Sequence, residues 1–204
     1  MVITKTNVQK LSEGEKGYLV GMFAGDGYIY YDIGRHYRVE FYLNPKKDED
    51  IAYFILVLLR KIKLFPCIMF HHGCLIIRLN SKIFHHFLKE KYDTISREQN
   101  ETFMLGFISG FIDSDGYVAK GDIVISNSEK NLLEIVQLFC QKTEIYSKLW
   151  SQKVVCKGKE SIIWRLRVGT RFKYKQQYSR KIRRIYGRGI PTDKRLPNHS
   201  EYPS

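Results

Sequence analysis

Two aspartates occupy matching places in this chain: Asp26 and Asp115 each end a glycine-spaced apolar segment and are each followed by a glycine. The pattern predicts that each aspartate lies in the last turn of a helix and that the next glycine adopts the left-handed conformation. A carboxylate there faces the negative end of the helix dipole, which costs roughly 0.3–1 kcal/mol, and two such carboxylates brought together repel each other. We therefore expect positive charge between them. Magnesium and similar divalent ions favour carboxylate oxygens and activate water as a nucleophile.

Small residues recur at every fourth position before each aspartate. They are Gly17, Gly21 and Gly25 in the first segment, and Gly106, Gly110 and Ser114 in the second. This spacing places the small side chains along one stripe of a helix, and two such stripes let two helix backbones approach closely. We predict that a helix interface forms at Gly17, Gly21, Gly106 and Gly110 and brings the two aspartates together.

The two segments belong to a duplicated unit. Asp26 to Ser81 and Asp115 to Thr170 each span 55 residues with matching surroundings. Asp-Gly is also common turn chemistry, which would explain either copy alone as an ordinary helix end. The repetition favours a functional pair.

The remaining pattern predicts two fused half-domains, residues 1–95 and 96–195, followed by a loose tail over residues 196–204. Each half has the order helix, hairpin, helix, hairpin, helix. Capping-box pairs at Ser12–Glu15 and Ser96–Gln99 predict where the two aspartate-bearing helices begin. Residues 171–186 are predicted to form one last helix.

The charge is strongly positive, with 34 Lys and Arg against 21 Asp and Glu, a net +13. Residues 165–195 carry twelve basic residues and a single acid, Asp193. Such a field attracts a polyanion. Because there is no apolar run of about 18 residues and no signal-peptide core, we expect a soluble, intracellular chain with no membrane partner. The four cysteines lack paired short spacing, which indicates reduced, packed thiols.

The segments 19–27, LVGMFAGDG, and 108–116, ISGFIDSDG, resemble the two signature motifs of the LAGLIDADG homing endonucleases, in the monomeric form with both motifs on one chain. The resemblance covers roughly residues 10–190. It implies an α+β fold of two pseudo-symmetric αββαββα half-domains, whose antiparallel sheets form a DNA-binding saddle around a central two-helix interface.

The resemblance also implies an activity, the cleavage of a long, specific double-stranded DNA site with a staggered break, using Mg²⁺ or Mn²⁺. The metal-binding acid of the family falls on Asp26 and Asp115, and backbone carbonyls near Gly25 and Ser114 could complete the coordination. Asp113 matches a motif letter that is not a metal ligand, and we interpret it as structural. An intron-encoded origin is favoured over an intein, because protein-splicing residues are not evident.

Supporting catalytic residues are expected after the first hairpin of each half. Asn44 and Asn127 stand where the family often has an amide near the catalytic water, although asparagine is also favoured as a helix N-cap. Lys120 or Lys46 could supply the nearby lysine of the family, and Lys120 is also a natural solvated turn residue.

The outward faces of the hairpins are expected to read DNA through long polar and aromatic side chains. Each of these could instead be part of a solvated strand face. In the first half they are Tyr28, Tyr30, Arg35, Arg38, Glu40, Tyr42, Arg78 and His72 at the His71-His72 tip. In the second half they are Lys148, Trp150, Gln152, Lys153, Arg165 and Arg167. The basic run from Arg171 to Arg188 is expected to contact phosphates, which adds affinity but little sequence discrimination.

Three other interpretations are weighed against this one. Cys67, His71, His72 and Cys74 are zinc-ligand types, but their spacing around a tight hairpin turn disfavours a zinc site. A chain of the same fold could bind nucleic acid without cutting it, as an RNA maturase acting on a host intron RNA or as a DNA-binding regulator. It could also be a generic basic DNA-binding domain whose repeat arose for symmetry alone.

Overall fold

The computed structural model describes residues 5–32, 36–156 and 158–186. Several sequence predictions fall outside these residues: the DNA contact at Arg35, the end of the basic run at Arg188, and the tail over 196–204. Among the helices within the described ranges, none combines the length and hydropathy needed to cross a bilayer.

The described residues of the first half form four helices and four strands. They are α1 (Lys5–Val8), α2 (Glu13–Asp26), β1 (Gly27–Tyr31), β2 (Tyr37–Leu43), α3 (Glu49–Lys61), β3 (Cys67–His71), β4 (Cys74–Asn80) and α4 (Lys82–Asp93). A 3-10 turn at Ile95–Arg97 leads to the second half. Its elements are α5 (Glu101–Asp115), β5 (Gly116–Ala119), β6 (Asp122–Asn127), α6 (Lys130–Lys142), β7 (Ser147–Cys156), β8 (Lys159–Val168), α7 (Phe172–Lys175) and α8 (Arg180–Tyr186).

Each half holds one four-stranded antiparallel sheet, with strand order β1-β2-β4-β3 in the first and β5-β6-β8-β7 in the second. Alternation along β2 sends Val39 and Phe41, both fully buried, into the core, and sends Arg38 and Tyr42 to the outward face. The α+β fold class with paired αββαββα halves is confirmed.

The centre of the molecule is the contact between α2 and α5, where the backbones approach so closely that only glycine fits. A Cβ atom on Gly17 or Gly21 would overlap a backbone carbonyl oxygen of α5, and one on Gly106 or Gly110 would overlap a carbonyl oxygen of α2. The aromatic and aliphatic side chains on either side of this stripe, among them Tyr18, are fully buried. The stripe therefore fixes how the two halves face each other.

The glycines after the two aspartates differ from the prediction. Gly27 has φ −93° and ψ 150°, and Gly116 has φ −94° and ψ 150°, so both are extended and the left-handed prediction is wrong. A strand begins at once, and the chain folds back over the last helical turn. A Cβ on Gly27 would collide with Phe23, and one on Gly116 with Ile112. Glycine is needed for space rather than for an unusual dihedral angle.

The N-terminus of α2 agrees with the prediction and that of α5 does not. Glu15 N donates to Ser12 Oγ at 3.3 Å, and Ser12 N donates to Glu15 Oε2 at 2.7 Å, which is the predicted capping box. The capping box at Ser96–Gln99 is wrong, because Ser96 lies in the 3-10 turn and α5 is capped by Asn100, whose Oδ1 accepts from Phe103 N at 3.0 Å.

The predicted single helix over residues 171–186 is also wrong. Gln176 is extended, with φ −89° and ψ 154°, and divides the segment into α7 and α8. The Gln176 side chain accepts from Ser179 N at 2.8 Å, and Gln176 and Ser179 are both buried. The break is therefore held by buried hydrogen bonds, which the basic composition of the segment does not reveal.

Candidate functional site

The two motif aspartates are the last residues of α2 and α5, side by side at one end of the central helix pair. A Cβ on Gly25 would lie 3.0 Å from Asp115 Cγ, so the end of α2 abuts the carboxylate of α5. Burial first, and the charge of Asp115 second, raise the pKa of Asp26 from its ordinary 3.8 to about 7. Burial also raises the pKa of Asp115, against a hydrogen bond from Asn127 and the charge of Lys181. The pair is therefore short of positive charge.

The two predicted asparagines have different surroundings. Asn127 Nδ2 donates to Asp115 Oδ2 at 2.6 Å, and its Oδ1 accepts from Glu129 N at 2.7 Å. Asn44 Oδ1 instead accepts from the backbone N–H groups of Lys46 and Lys47, each at 3.0 Å. The structure thus joins an amide to the second aspartate, while Asn44 makes a local turn.

The basic residue beside both carboxylates is Lys181 of α8, which the sequence analysis did not single out. Its Nζ donates to the carbonyl oxygens of Ser114 at 3.1 Å and Gly116 at 2.9 Å, on either side of Asp115. Its charge lowers the pKa of both Asp26 and Asp115. Lys181 thus supplies part of the positive charge that the paired carboxylates require, and the pKa values of both aspartates stay raised in its presence.

The two lysines suggested by sequence lie elsewhere. Lys120 is exposed in the turn between β5 and β6, and Lys46 is exposed in the turn after β2. Within the described part of the chain, neither side chain forms a hydrogen bond or ion pair with an aspartate of the pair. Nothing in the basic run distinguishes Lys181 from its neighbours, so only the fold selects it.

Asp113 holds α8, and through it Lys181, against the motif helices. This carboxylate is 1% exposed and accepts from Tyr18 Oη at 2.9 Å and Ser179 Oγ at 2.7 Å. It also accepts from the backbone N–H groups of Arg180 at 2.7 Å and Lys181 at 2.9 Å, the first two residues of α8. A carboxylate at a helix N-terminus is favourable, and these donors offset part of the effect of burial, which raises the pKa of Asp113. Asp113 therefore fixes the helix that carries Lys181.

The last helices of the two halves each reach the opposite half. Arg184 of α8 forms an ion pair with Asp50 of α3, and the Arg180 guanidinium lies 3.7 Å from the centre of the Phe54 ring. In the other direction, Tyr92 of α4 donates through its Oη to Glu129 Oε2 at 2.9 Å. Three members of the basic run, Arg180, Lys181 and Arg184, thus serve packing and the aspartate pair rather than an outer phosphate surface.

On the first sheet, the outward face carries most of the predicted DNA-reading residues. The register aligns Tyr28, Glu40 and Arg78 in one row, and Tyr30, Arg38 and Asn80 in the next. Tyr28, Tyr30 and Tyr42 are exposed, and the Arg38 guanidinium lies 5.6 Å from the centre of the Tyr30 ring. Glu40 is the exception, because its neighbours leave it only 2% exposed.

On the second sheet, Lys148 and Arg167 form one outward row, and Trp150 and Arg165 form the next. Gln152 continues this face by the two-residue period of a strand, whereas Lys153 has the opposite parity and points to the other side. Lys153 is therefore not one of the residues on the outward face of this sheet. Tyr117, 64% exposed, joins the outward face and was missed because the alternation along β5 is short.

The tip of the β3–β4 hairpin carries His71 and His72, both exposed, with ring centres 4.0 Å apart. Cys67 lies opposite Arg78 in the register, four residues before His71. Over the described ranges, no group of three or more His, Cys, Asp and Glu side chains is arranged to hold a metal ion.

The chain is similar in sequence to known proteins. Residues 102–184 match the family described as the LAGLIDADG-like domain. The uncharacterized protein MJ0398 of Methanocaldococcus jannaschii is 29% identical over 155 residues, which cover 73% of this chain and 55% of that protein. The chain thus spans about half the length of this relative.

Solved structures share the fold. A variant of I-DmoI in complex with its target DNA and Mn matches with TM-score 0.67 and 21% identity, covering 86% of this chain and 98% of that one. I-DmoI in complex with DNA and Ca matches with TM-score 0.66 and 20% identity, covering 83% and 92%. Full-length DUF199/WhiA from Thermotoga maritima matches with TM-score 0.58 and 12% identity, covering 91% and 65%. Residues 102–184 therefore match the LAGLIDADG-like domain, and the chain as a whole shares the fold of I-DmoI.

Proposed function

We propose that the chain is a site-specific DNA endonuclease that acts as a monomer on a long double-stranded target and makes a staggered break with magnesium or manganese. The observation that carries the proposal is the pair of partly buried carboxylates, Asp26 and Asp115, at the end of the central helix pair. On either side of it stand two sheets with arginine-rich outward faces. The half-domain division at residues 95 and 96 belongs to the same proposal.

The oxygen donors around the pair fit a hard divalent cation. Burial and mutual repulsion disfavour the charged carboxylates, and a cation between them would relieve both effects. Within the described ranges the pair contributes two carboxylates, so a backbone carbonyl near Gly25, waters and a DNA phosphate would supply the remaining oxygens. The Ser114 carbonyl, predicted as a further ligand, already accepts from Lys181 Nζ. Magnesium suits such a set because it keeps several waters. When bound, the ion supplies Lewis-acid stabilisation of the phosphate and lowers the pKa of a water.

The surrounding residues of this chain have roles of their own. Asn127 holds the Asp115 carboxylate in one orientation through its 2.6 Å hydrogen bond. Lys181 places an ammonium group beside the carbonyls that flank Asp115, where it can balance negative charge that develops on a phosphate. Because no amide of the described residues contacts Asp26 as Asn127 contacts Asp115, we propose that the two strands are cut by unequal centres.

A regulator that binds DNA without cutting is the second candidate, because DUF199/WhiA shares the fold. The fold alone does not require cleavage. The aspartate pair favours the nuclease, since binding without chemistry gives no reason to keep two carboxylates that repel each other and lie partly buried.

The test is cleavage of a large random plasmid library, with magnesium or with chelator, in which all new DNA ends are sequenced. The wild-type chain should produce recurrent staggered breaks at one long motif, and none with chelator. Asp26→Asn and Asp115→Asn should produce nicks or no products. DNA that is bound specifically but stays intact under every condition would reject the nuclease in favour of the regulator.

A further inference from the structure

The registers of the two sheets define equivalent positions in the two halves. Gly27 pairs with Phe41 in the first sheet, and Gly116 pairs with Ile125 in the second, so the adjacent outward rows correspond. The first row is Tyr28, Glu40, Arg78 and Cys67, and the second is Tyr117, Val124, Arg167 and Lys148. Arg78 and Arg167 are thus equivalent, and Glu40 stands where the second half has Val124.

Glu40 is a buried carboxylate on a face that is expected to meet a polyanion. Its side chain is 3% exposed, and it accepts from Arg78 Nε and, at 2.6 Å, from Tyr42 Oη. Arg38 Nε lies 3.9 Å from the same carboxylate. A negative charge on this face lowers affinity for DNA, and a buried charge is costly unless it is paired. Its presence is explained if the arginine that it holds must be oriented.

The geometry of Arg78 suits that purpose. The hydrogen bond to Glu40 uses Nε, and the described residues accept no hydrogen bond from its Nη atoms. The Nη edge of the guanidinium is therefore available on the outward face, where the side chain is 29% exposed. A guanidinium edge held in this way matches the O6 and N7 acceptors of guanine in the major groove.

Arg167 is held less firmly in the second half. Its Nε lies 3.0 Å from Asp122 Oδ1, which makes an ion pair. This contact does not have the geometry of a hydrogen bond, so Asp122 Oδ1 is left without a hydrogen-bond partner among the described residues. The side chains of this pair are 50% and 35% exposed, against 29% and 3% for Arg78 and Glu40. The equivalent arginines thus differ in how well their direction is fixed.

We propose that Glu40 is a positioning residue for DNA specificity: it holds Arg78 in the orientation that reads a guanine in one half-site, while the equivalent base pair under Arg167 is read less stringently. The inference rests on the proposed function in one respect, that the outward sheet faces contact target DNA. It makes Glu40 a determinant of specificity that does not itself contact the bases.

The test compares the binding specificities of four proteins, each carrying Asp26→Asn and Asp115→Asn so that cleavage plays no part. They are the otherwise wild-type chain, Glu40→Val, Arg78→Ala and, as the matched control in the second sheet, Asp122→Val. Each is used to select from a randomised double-stranded DNA library without divalent ions. Glu40→Val installs the residue that the second half already carries at this position. Glu40→Met, which keeps the length of the side chain but lacks the carboxylate that accepts from Arg78 Nε, gives the same comparison if Glu40→Val does not fold.

We expect Arg78→Ala to abolish a guanine preference at one position of the first half-site, and Glu40→Val to weaken it at that same position by roughly fivefold or more. Glu40→Val should also bind random-sequence DNA more tightly, because the face loses a negative charge. Asp122→Val should leave that position unchanged.

An unaltered preference in Glu40→Val, or an equal loss at every position, would overturn the role of Glu40. The selection of no site at all by the wild-type sequence would overturn the proposed function itself, and the inference with it.

Discussion

Replacing Asp26 with asparagine should make the metal-free protein more stable. Burial and the charge of Asp115 raise the pKa of Asp26 from 3.8 to about 7, so the folded state binds this proton more tightly than the unfolded state does. For an acid with a raised pKa, the free energy of unfolding falls as the pH rises from the pKa of the unfolded state to the pKa of the folded state. At about 1.36 kcal/mol per unit, the destabilisation reaches up to about 4 kcal/mol above pH 7. It is about 2 kcal/mol at pH 5 and disappears below pH 4.

Urea unfolding in chelator at pH 5 and pH 8 measures this effect. The free energy of unfolding of Asp26→Asn should exceed that of the wild type at both pH values, and the gain should be about 2 to 3 kcal/mol larger at pH 8. Asp93→Asn is the matched control, because its carboxylate is exposed and pairs with Lys89 on the surface. That variant should gain at most about 1 kcal/mol at either pH, because Asp93 also lies in the last turn of its helix. Addition of magnesium should stabilise the wild type more than Asp26→Asn, because binding to the folded state raises its stability.

The reasoning about the carboxylate pair would be refuted by an Asp26→Asn variant that is no more stable than the wild type at pH 8. A gain of the same size at pH 5 and pH 8 would also refute it, since it would show that the effect does not come from ionisation.

Three further outcomes are expected. Asn127→Ala should slow the cutting of one strand, so that nicked plasmid accumulates on a gel, whereas Asn44→Ala should keep normal product ratios because Asn44 only caps a turn. Gly21→Ala should cost at least about 3 kcal/mol in urea unfolding, because the new Cβ overlaps the backbone of α5, whereas Lys89→Ala on an exposed helix face should stay within about 0.5 kcal/mol. Lys181→Gln removes a charge that lowers the pKa of both aspartates, so the acid limb of the cleavage rate should move to higher pH, and an unchanged profile would contradict this role.

Much of the fold was readable from local pattern. The small-residue stripe at Gly17 and Gly21, the alternation along β2 and the capping box at Ser12 each depend on residues a few positions apart, and the structure has all three. Predictions failed where a local signal competed with a distant contact. Asn100 rather than Ser96 caps α5. The predicted last helix is divided because Ser179 N donates a hydrogen bond to the buried Gln176 side chain.

The sequence by itself determined the duplicated unit, the pairing of Asp26 with Asp115 and the sign of the charge on the outward faces, because repetition, period and composition are properties of the chain. Only the tertiary structure decided that Lys181 is the cation beside the pair and that Asn127, rather than Asn44, contacts an aspartate. It also decided that Glu40 lies buried beneath the arginines around it. The physical reason is common to all three: each depends on which distant side chains meet in space, and packing selects one basic or polar residue among several that look alike in the sequence.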